Sequence, residues 1–409
     1  MGLNLITRPV PLNMLTDHRG KGLGCLSPPI IPSMPSSGQS SVRDQRLDFW
    51  RGLCLVDMLL VHLYYQNVQF GNFLGKLLGE YTRFAAGGFI FVCGLSIGVI
   101  FLPRAFDDQK RGKTYRGLWR RSVYILAVHY LCAMVLLMMD IYRGLRGNFV
   151  DPWTVLCNIF LLREGGDLLP FYVMMIALAP IMLQVLRLRR GWLYLFVVSI
   201  ATFIWGLWHP WALAPAQHQN FPPILWQGIF IPGLLLGYAW PRYNALAAKW
   251  KGVIASVAWF ATGVLFFLEY SYQWGFRQYS FYPAFTKVPL STAEAVRYLI
   301  IILGIITTTD LLWPLIGKSS FSAFVQTLGR KSLPVYVFHL WVVEAMGALA
   351  VAMPWMGAWQ ISYAIFSILI LWLFALILDI SKAPNEKHLS VASALQRLFR
   401  PYPLAGAVR

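Results

Sequence analysis

Acidic residues are scarce in this chain. Seventeen Asp and Glu stand against 35 Lys and Arg in 409 residues, and charged residues of all kinds make up only 13%. That shortage of charge, with 57% hydrophobic residues and a mean hydropathy of +0.56, excludes a soluble globular domain. Cysteine is sparse too. Cys25, Cys54, Cys93, Cys132 and Cys157 lack paired metal-ligand spacing, and four of them lie in apolar stretches where they read as small hydrophobes. No metal site is expected. There is no internal repeat or inverted symmetry, which disfavours many transporter folds. Nor is there a cleavable signal peptide, because Pro9 and Pro11 break the first apolar stretch. The first span is expected to act as an uncleaved signal.

Long apolar runs dominate what remains. Ten approach the about 17–25 residues that a spanning helix needs, at 48–65, 84–103, 118–139, 168–186, 192–208, 223–240, 251–269, 293–315, 332–352 and 358–378. The expected fold is all-α: a polytopic integral membrane bundle of about ten transmembrane helices. A net charge of +18 could suggest nucleic acid, but its distribution points elsewhere. With the N-terminus inside and the spans threaded alternately, 27 Lys and Arg fall inside and 7 outside, with Arg297 left in a span. This is the positive-inside pattern, so we expect an N-in, C-in topology, the lipid bilayer as partner, and no nucleic acid. Residues 1–42, rich in Gly, Pro and Ser, are expected to form a disordered cytoplasmic tail. Met34, just before the patterned region, is a possible later start. Residues 43–380 form the membrane domain and 381–409 a cytoplasmic C-terminal tail.

The first span carries the chemistry. Asp48, Arg51, Asp57 and His62 all lie in or beside it, and ionisable groups inside hydrocarbon are functional candidates by default. Arg51 and His62 are eleven residues apart, so they share a helix face about 16 Å apart along the axis. A guanidinium near one surface and an imidazole deep inside suit a substrate that enters head first and reacts in the middle. No carboxylate stands three or four residues from His62, so an orienting acid would have to come from another helix. Asp57 reads better as an interhelical strut. Asp48, three residues before Arg51, is expected to orient its guanidinium.

Two more histidines lie in spans, His129 near mid-depth and His339 in the inner half, with His62 in the outer half. For each, an interhelical hydrogen bond competes evenly with a role in the pocket. The stretch from Arg104 to Arg121 reads as a cytoplasmic loop with seven basic residues, and Arg116, Arg120 and Arg121 stand at the mouth of span three. Such a cluster can hold phosphates, although topology alone accounts for about half of its charge. On the outer side, 153–162 is too short to span and leads into Arg163, Glu164 and Asp167. This suits either a re-entrant entrance or a solvated loop with local ion pairs. Trp205, Trp208, Trp211, Phe221 and Trp226 read better as an interfacial belt than as a sugar platform. Arg297 with Glu294, and Glu344, read as interhelical ion pairs.

The run Arg46-Leu47-Asp48-Phe49-Trp50-Arg51-Gly52-Leu53, followed by His62, resembles the first helix of integral-membrane acyltransferases. The Arg51–His62 spacing is similar to the arginine–histidine motif of acyltransferase family 3. Within that group the chain looks most like the OpgC family. Phe89-Ile90-Phe91-Val92-Cys93-Gly94, Arg120-Arg121-Ser122-Val123-Tyr124 to His129, Asp167-Leu168-Leu169-Pro170-Phe171-Tyr172-Val173 and Leu328-Gly329-Arg330-Lys331-Ser332-Leu333-Pro334-Val335 add to the likeness. It departs at Tyr81–Gly88, which holds no acid, and at Cys93-Gly94, where Ser-Gly is usual.

The resemblance implies a cytoplasmic acyl-CoA donor, succinyl- or acetyl-CoA, used as cosubstrate with no bound cofactor. It also implies a glycan hydroxyl acceptor on the far side and a bacterial inner membrane. Arg46, Arg51, Arg116, Arg120 and Arg121 would hold the donor, with His62 as general base or acyl-carrying nucleophile. Two competing classes stay open: a transporter or flippase using the same groups as a relay, and a catalytically silent scaffold.

Overall fold

The computed structural model describes residues 44–66, 84–144, 168–210, 221–271, 284–352 and 360–380. They belong to one compact unit that begins at Asp44. Twelve helices make up the described residues, with no strand among them. They are α1 (Gln45–Gln66), α2 (Ala85–Phe106), α3 (Asp108–Gly144), α4 (Leu168–Leu186), α5 (Gly191–Trp208) and α6 (Pro223–Tyr238). There follow α7 (Trp240–Asn244), α8 (Ala248–Tyr270), α9 (Thr292–Ile316), α10 (Ser320–Arg330), α11 (Ser332–Ala352) and α12 (Gln360–Ile380).

A helix lies over each expected apolar run. Six of them (α2, α4, α5, α8, α9 and the Ser362–Ile380 part of α12) are long and apolar enough to cross a bilayer, and they mark the chain as an integral membrane protein. α6 and the Ser332–Gly347 part of α11 are shorter apolar helices. α1 is not among the six, and it is the helix whose apolar run is interrupted by Arg51, Asp57 and His62.

Two findings correct the sequence reading. The stretch expected as a basic loop is largely helix: α3 starts at Asp108 and runs 37 residues, so Arg116, Arg120 and Arg121 ride on it. The start is set by Asp107, whose carboxylate accepts from the Gln109 amide at 3.0 Å, the bond that an N-cap residue makes. The second is α10, an eleven-residue helix too short and too mixed to register as a span. Ser319 caps it by accepting from the Ser322 amide at 3.1 Å. Val325, Leu328 and Gly329 are buried, whereas Phe321 is exposed.

Glycines set the closest helix contacts. At the crossing of α1 and α10, a Cβ on Gly52 would fall on the Val325 carbonyl, and one on Gly329 would fall on the Asp48 carbonyl. α2 and α6 meet through Gly94 and Gly98 facing Gly233 and Gly237. Each pair has the small-xxx-small spacing that lets helix backbones touch in a bilayer. Gly98 itself lies in a wide π-helical turn formed by residues Ile97–Phe101 of α2.

Ion pairs tie the helix ends together. Arg46 pairs with Asp44 at 2.7 Å and with Asp310 of α9, and Lys251 of α8 reaches the same Asp310 at 2.6 Å. The Arg46 guanidinium also donates to Asn244 at 3.2 Å and lies over the Trp240 ring. At the other end of α9, Arg297 pairs with Glu294 at 2.6 Å and with Glu269 of α8. Glu294 begins that helix, its amide donating to the Ser291 cap at 3.2 Å.

Candidate functional site

The site is built on α1. Arg51 is held from two sides: NH1 donates to Asp48 at 3.2 Å, and NH2 donates to Ser96 Oγ at 2.5 Å. Ser96 is fixed in turn, its hydroxyl donating to the Val92 carbonyl at 2.6 Å. It is the last residue before the π turn, a distortion found often at functional sites. Asp48 is buried, while Arg51 keeps 16% of its side chain accessible. The guanidinium is therefore oriented but open. Cys93 lies within electrostatic reach of both Arg51 and Arg121.

At the other end of the site His62 meets His339 of α11. His62 Nδ1 lies 3.2 Å from His339 Nε2, with the ring planes 15° apart and centroids at 5.2 Å. The centroid separation exceeds the nitrogen separation by nearly two ring radii. The rings thus meet edge to edge in a common plane, as a hydrogen bond requires. His339 is fully buried, and its Nδ1 donates to the Tyr336 carbonyl. Aromatic rings lead away from it through Tyr336 and Phe89 to Tyr172, with centroid steps of 5.0, 6.0 and 5.8 Å.

The pairing overturns the different depths expected for these histidines. The expectation measured each from its own span end. Gly52 and Gly329 instead face each other at the α1–α10 crossing, and His62 and His339 each lie ten residues further on. The chain turns at Lys331 between α10 and α11, and the packing of α11 against α1 brings the two rings to the same level. The orienting partner from another helix exists, but it is an imidazole rather than a carboxylate.

The remaining candidates are more dispersed. Arg46 sits in the ion-pair network of α8 and α9. Arg116, Arg120 and Arg121 are exposed along α3. His129 is fully buried beside Tyr130, and neither ring nitrogen has a hydrogen-bond partner among the described residues. Arg163, Glu164, Asp167 and Trp211 lie outside the described residues, as does 153–162. Asp57 is buried on α1. Trp205 and Trp208 are exposed, whereas Trp226 is fully buried between Phe221 and Tyr298. Among the described residues no group of three or more His, Cys, Asp or Glu side chains could hold a metal ion.

Sequence reasoning missed Ser96 and Gly329, which carry no chemical signature of their own. The Gly94/Gly98 and Gly233/Gly237 spacings were the available signal for the contact that sets α6 against α2, the helix that carries Ser96.

The fold and site define an integral-membrane helical protein with an oriented arginine and a hydrogen-bonded histidine pair among its helices. Residues 43–383 match the OpgC protein family, and the chain belongs to that family. Membership points to a membrane acyltransferase-type function. No curated protein and no solved structure matches the chain.

Proposed function

We propose that the protein transfers an acyl group, succinyl or acetyl, from cytoplasmic acyl-CoA to a hydroxyl of a periplasmic or cell-surface glycan. The observation that carries this reading is the pair of anchored groups on one face of α1: Arg51 held by Asp48 and Ser96, and His62 held by His339. Arg51 receives the anionic donor, with the exposed Arg116, Arg120 and Arg121 supplying further positive charge along α3. His62 takes the proton of the acceptor hydroxyl as its oxygen bonds to the thioester carbonyl carbon. The carbon–sulfur bond then breaks, and the CoA thiolate leaves with the proton returned by His62. Proton transfer of this kind contributes about 10²–10⁴-fold.

The reading of ten spans threaded N-in, C-in in a bacterial inner membrane rests on the charge distribution and the family, and the ion pairs agree with the alternation of helix ends that it requires. Arg46, Lys251 and Asp310 all belong to the side that alternate threading makes cytoplasmic, and Glu269, Glu294 and Arg297 to the opposite side.

The test is acyl transfer by the purified protein, offering acetyl- and succinyl-CoA with a panel of periplasmic glycans. CoA release is followed together with the mass of the glycan. Glycan-dependent release by the wild type, lost in a folded His62→Ala variant, is the expected result. Solute movement across proteoliposomes without CoA consumption would replace the enzyme with a transporter.

A further inference from the structure

We infer that His339 is a positioning residue that fixes the tautomer of His62 and so selects which nitrogen meets the acceptor. The catalytic consequence rests on the function proposed above; the tautomer itself rests on hydrogen bonds alone.

The Tyr336 carbonyl can only accept, so His339 Nδ1, directed at it, carries a hydrogen. A neutral imidazole has one donor nitrogen and one acceptor nitrogen, so His339 Nε2 is a lone pair. That lone pair lies 3.2 Å from His62 Nδ1, which must then be the donor. His62 Nε2 is left as the lone-pair nitrogen, the atom a general base uses. Direction thus passes from a backbone carbonyl through a second histidine to the reacting one. When His62 takes up a proton at Nε2, its Nδ1–H still donates to His339, and the bond becomes charge-assisted. Protonation breaks no hydrogen bond.

The partner is well placed for this. His339 is fully buried, and the Tyr336 and Phe89 rings pack in sequence beside it. α1 and α11 pack directly on one another, which holds both rings at one level, so tautomer control is built into that helix contact.

The test is solid-state nitrogen NMR of the full chain in lipid bilayers with ¹⁵N-labelled histidine. The seven histidines are resolved by difference against His62→Gln. The expected spectrum has His62 protonated at Nδ1 and bare at Nε2. In His339→Phe that preference is lost, and kcat for acyl transfer falls about 10- to 100-fold, the scale at which outer-shell partners act, with donor KM unchanged. His339→Gln puts a carboxamide near the position of His339 Nε2, where its oxygen can accept, and restores both the tautomer and most of kcat. A wild-type His62 protonated at Nε2, or a tautomer unmoved in His339→Phe, would overturn the inference. If His339→Phe does not fold, the wild-type and His339→Gln spectra still decide. The expected signature in a protein that transfers no acyl group would support the tautomer assignment while removing the proposed function.

Discussion

α2 and α8 are both apolar enough to cross a membrane, yet one is enclosed and the other is not. The apolar window of α2 is 78% buried inside the protein, and that of α8 is 17% buried. Hydrophobicity does not separate them, because lipid is as apolar as any helix face and gives no reason to leave it. Glycines do. Gly94 and Gly98 put α2 in backbone contact with α6, whereas Gly252 and Gly263 of α8 have nothing within 4 Å of a would-be Cβ. α8 packs lengthwise on α9 through Ala255, Ala258 and Trp259, whose indole donates to Thr308 at 2.8 Å, and its ends are pinned by Lys251 with Asp310 and Glu269 with Arg297. The central helices touch backbone to backbone, and this peripheral one adds charge pairs at its ends.

The comparison breaks most sharply at the glycines. Gly329→Leu is expected to give little folded protein, since its side chain would have to occupy the Asp48 carbonyl. Even ordinary overpacking costs about 1–3 kcal/mol. Gly263→Leu should match the wild type. Thermal unfolding in detergent, followed by size-exclusion chromatography, checks both, and equal losses would mean that close approach is not what organises the centre.

The peripheral pins come next. Arg297→Met leaves Glu269 and Glu294 buried without their common partner and is expected to destabilise by about 3–5 kcal/mol. Asp108→Asn removes the exposed pairs to Arg111 and Arg187, worth about 0–1 kcal/mol. Thermal shifts of the two variants should differ severalfold, and similar shifts would refute the pinning by buried charge.

The smallest effect is expected at Asp107. Lys110, 2.8 Å away, and the Gln109 amide hold its carboxyl below the ordinary carboxylate range. A depressed pKa contributes stability above the unfolded value and loses it as pH falls through the lower folded value. The group is largely solvated, so that loss is slight. Asp107→Asn should be slightly less stable than the wild type near neutral pH, with the two stability curves converging as pH falls through the acid range, and a gap that stays the same in acid would contradict the assignment.

Ten helices were legible because each is written as a long apolar run, a signal needing no partner. α10 was not, because its eleven residues alternate too much to resemble a span. The orientation of Arg51 by Asp48 was legible, since both lie on one helix three residues apart. The meeting of His62 with His339 was not. It joins residues far apart in the chain, and their common level depends on the packing of α1 against α11, which no local pattern announces. Arg46 shows the same difficulty: its ion pair with Asp310 joins residues far apart in the chain, and nothing local announces it.

The wide turn at Ile97–Phe101 can be viewed as an extra residue spliced into α2. Deleting one residue there would restore a regular helix and swing everything beyond it by about 100°. Ser96 lies upstream, so its grip on Arg51 would stay in phase, whereas Gly98, inside the turn, would shift against Gly237 of α6. The swing would fall on Leu102–Phe106 and on the start of α3, where Asp108 reaches Arg187. A change of length is thus taken up at the far end of α2 while Arg51 keeps its aim.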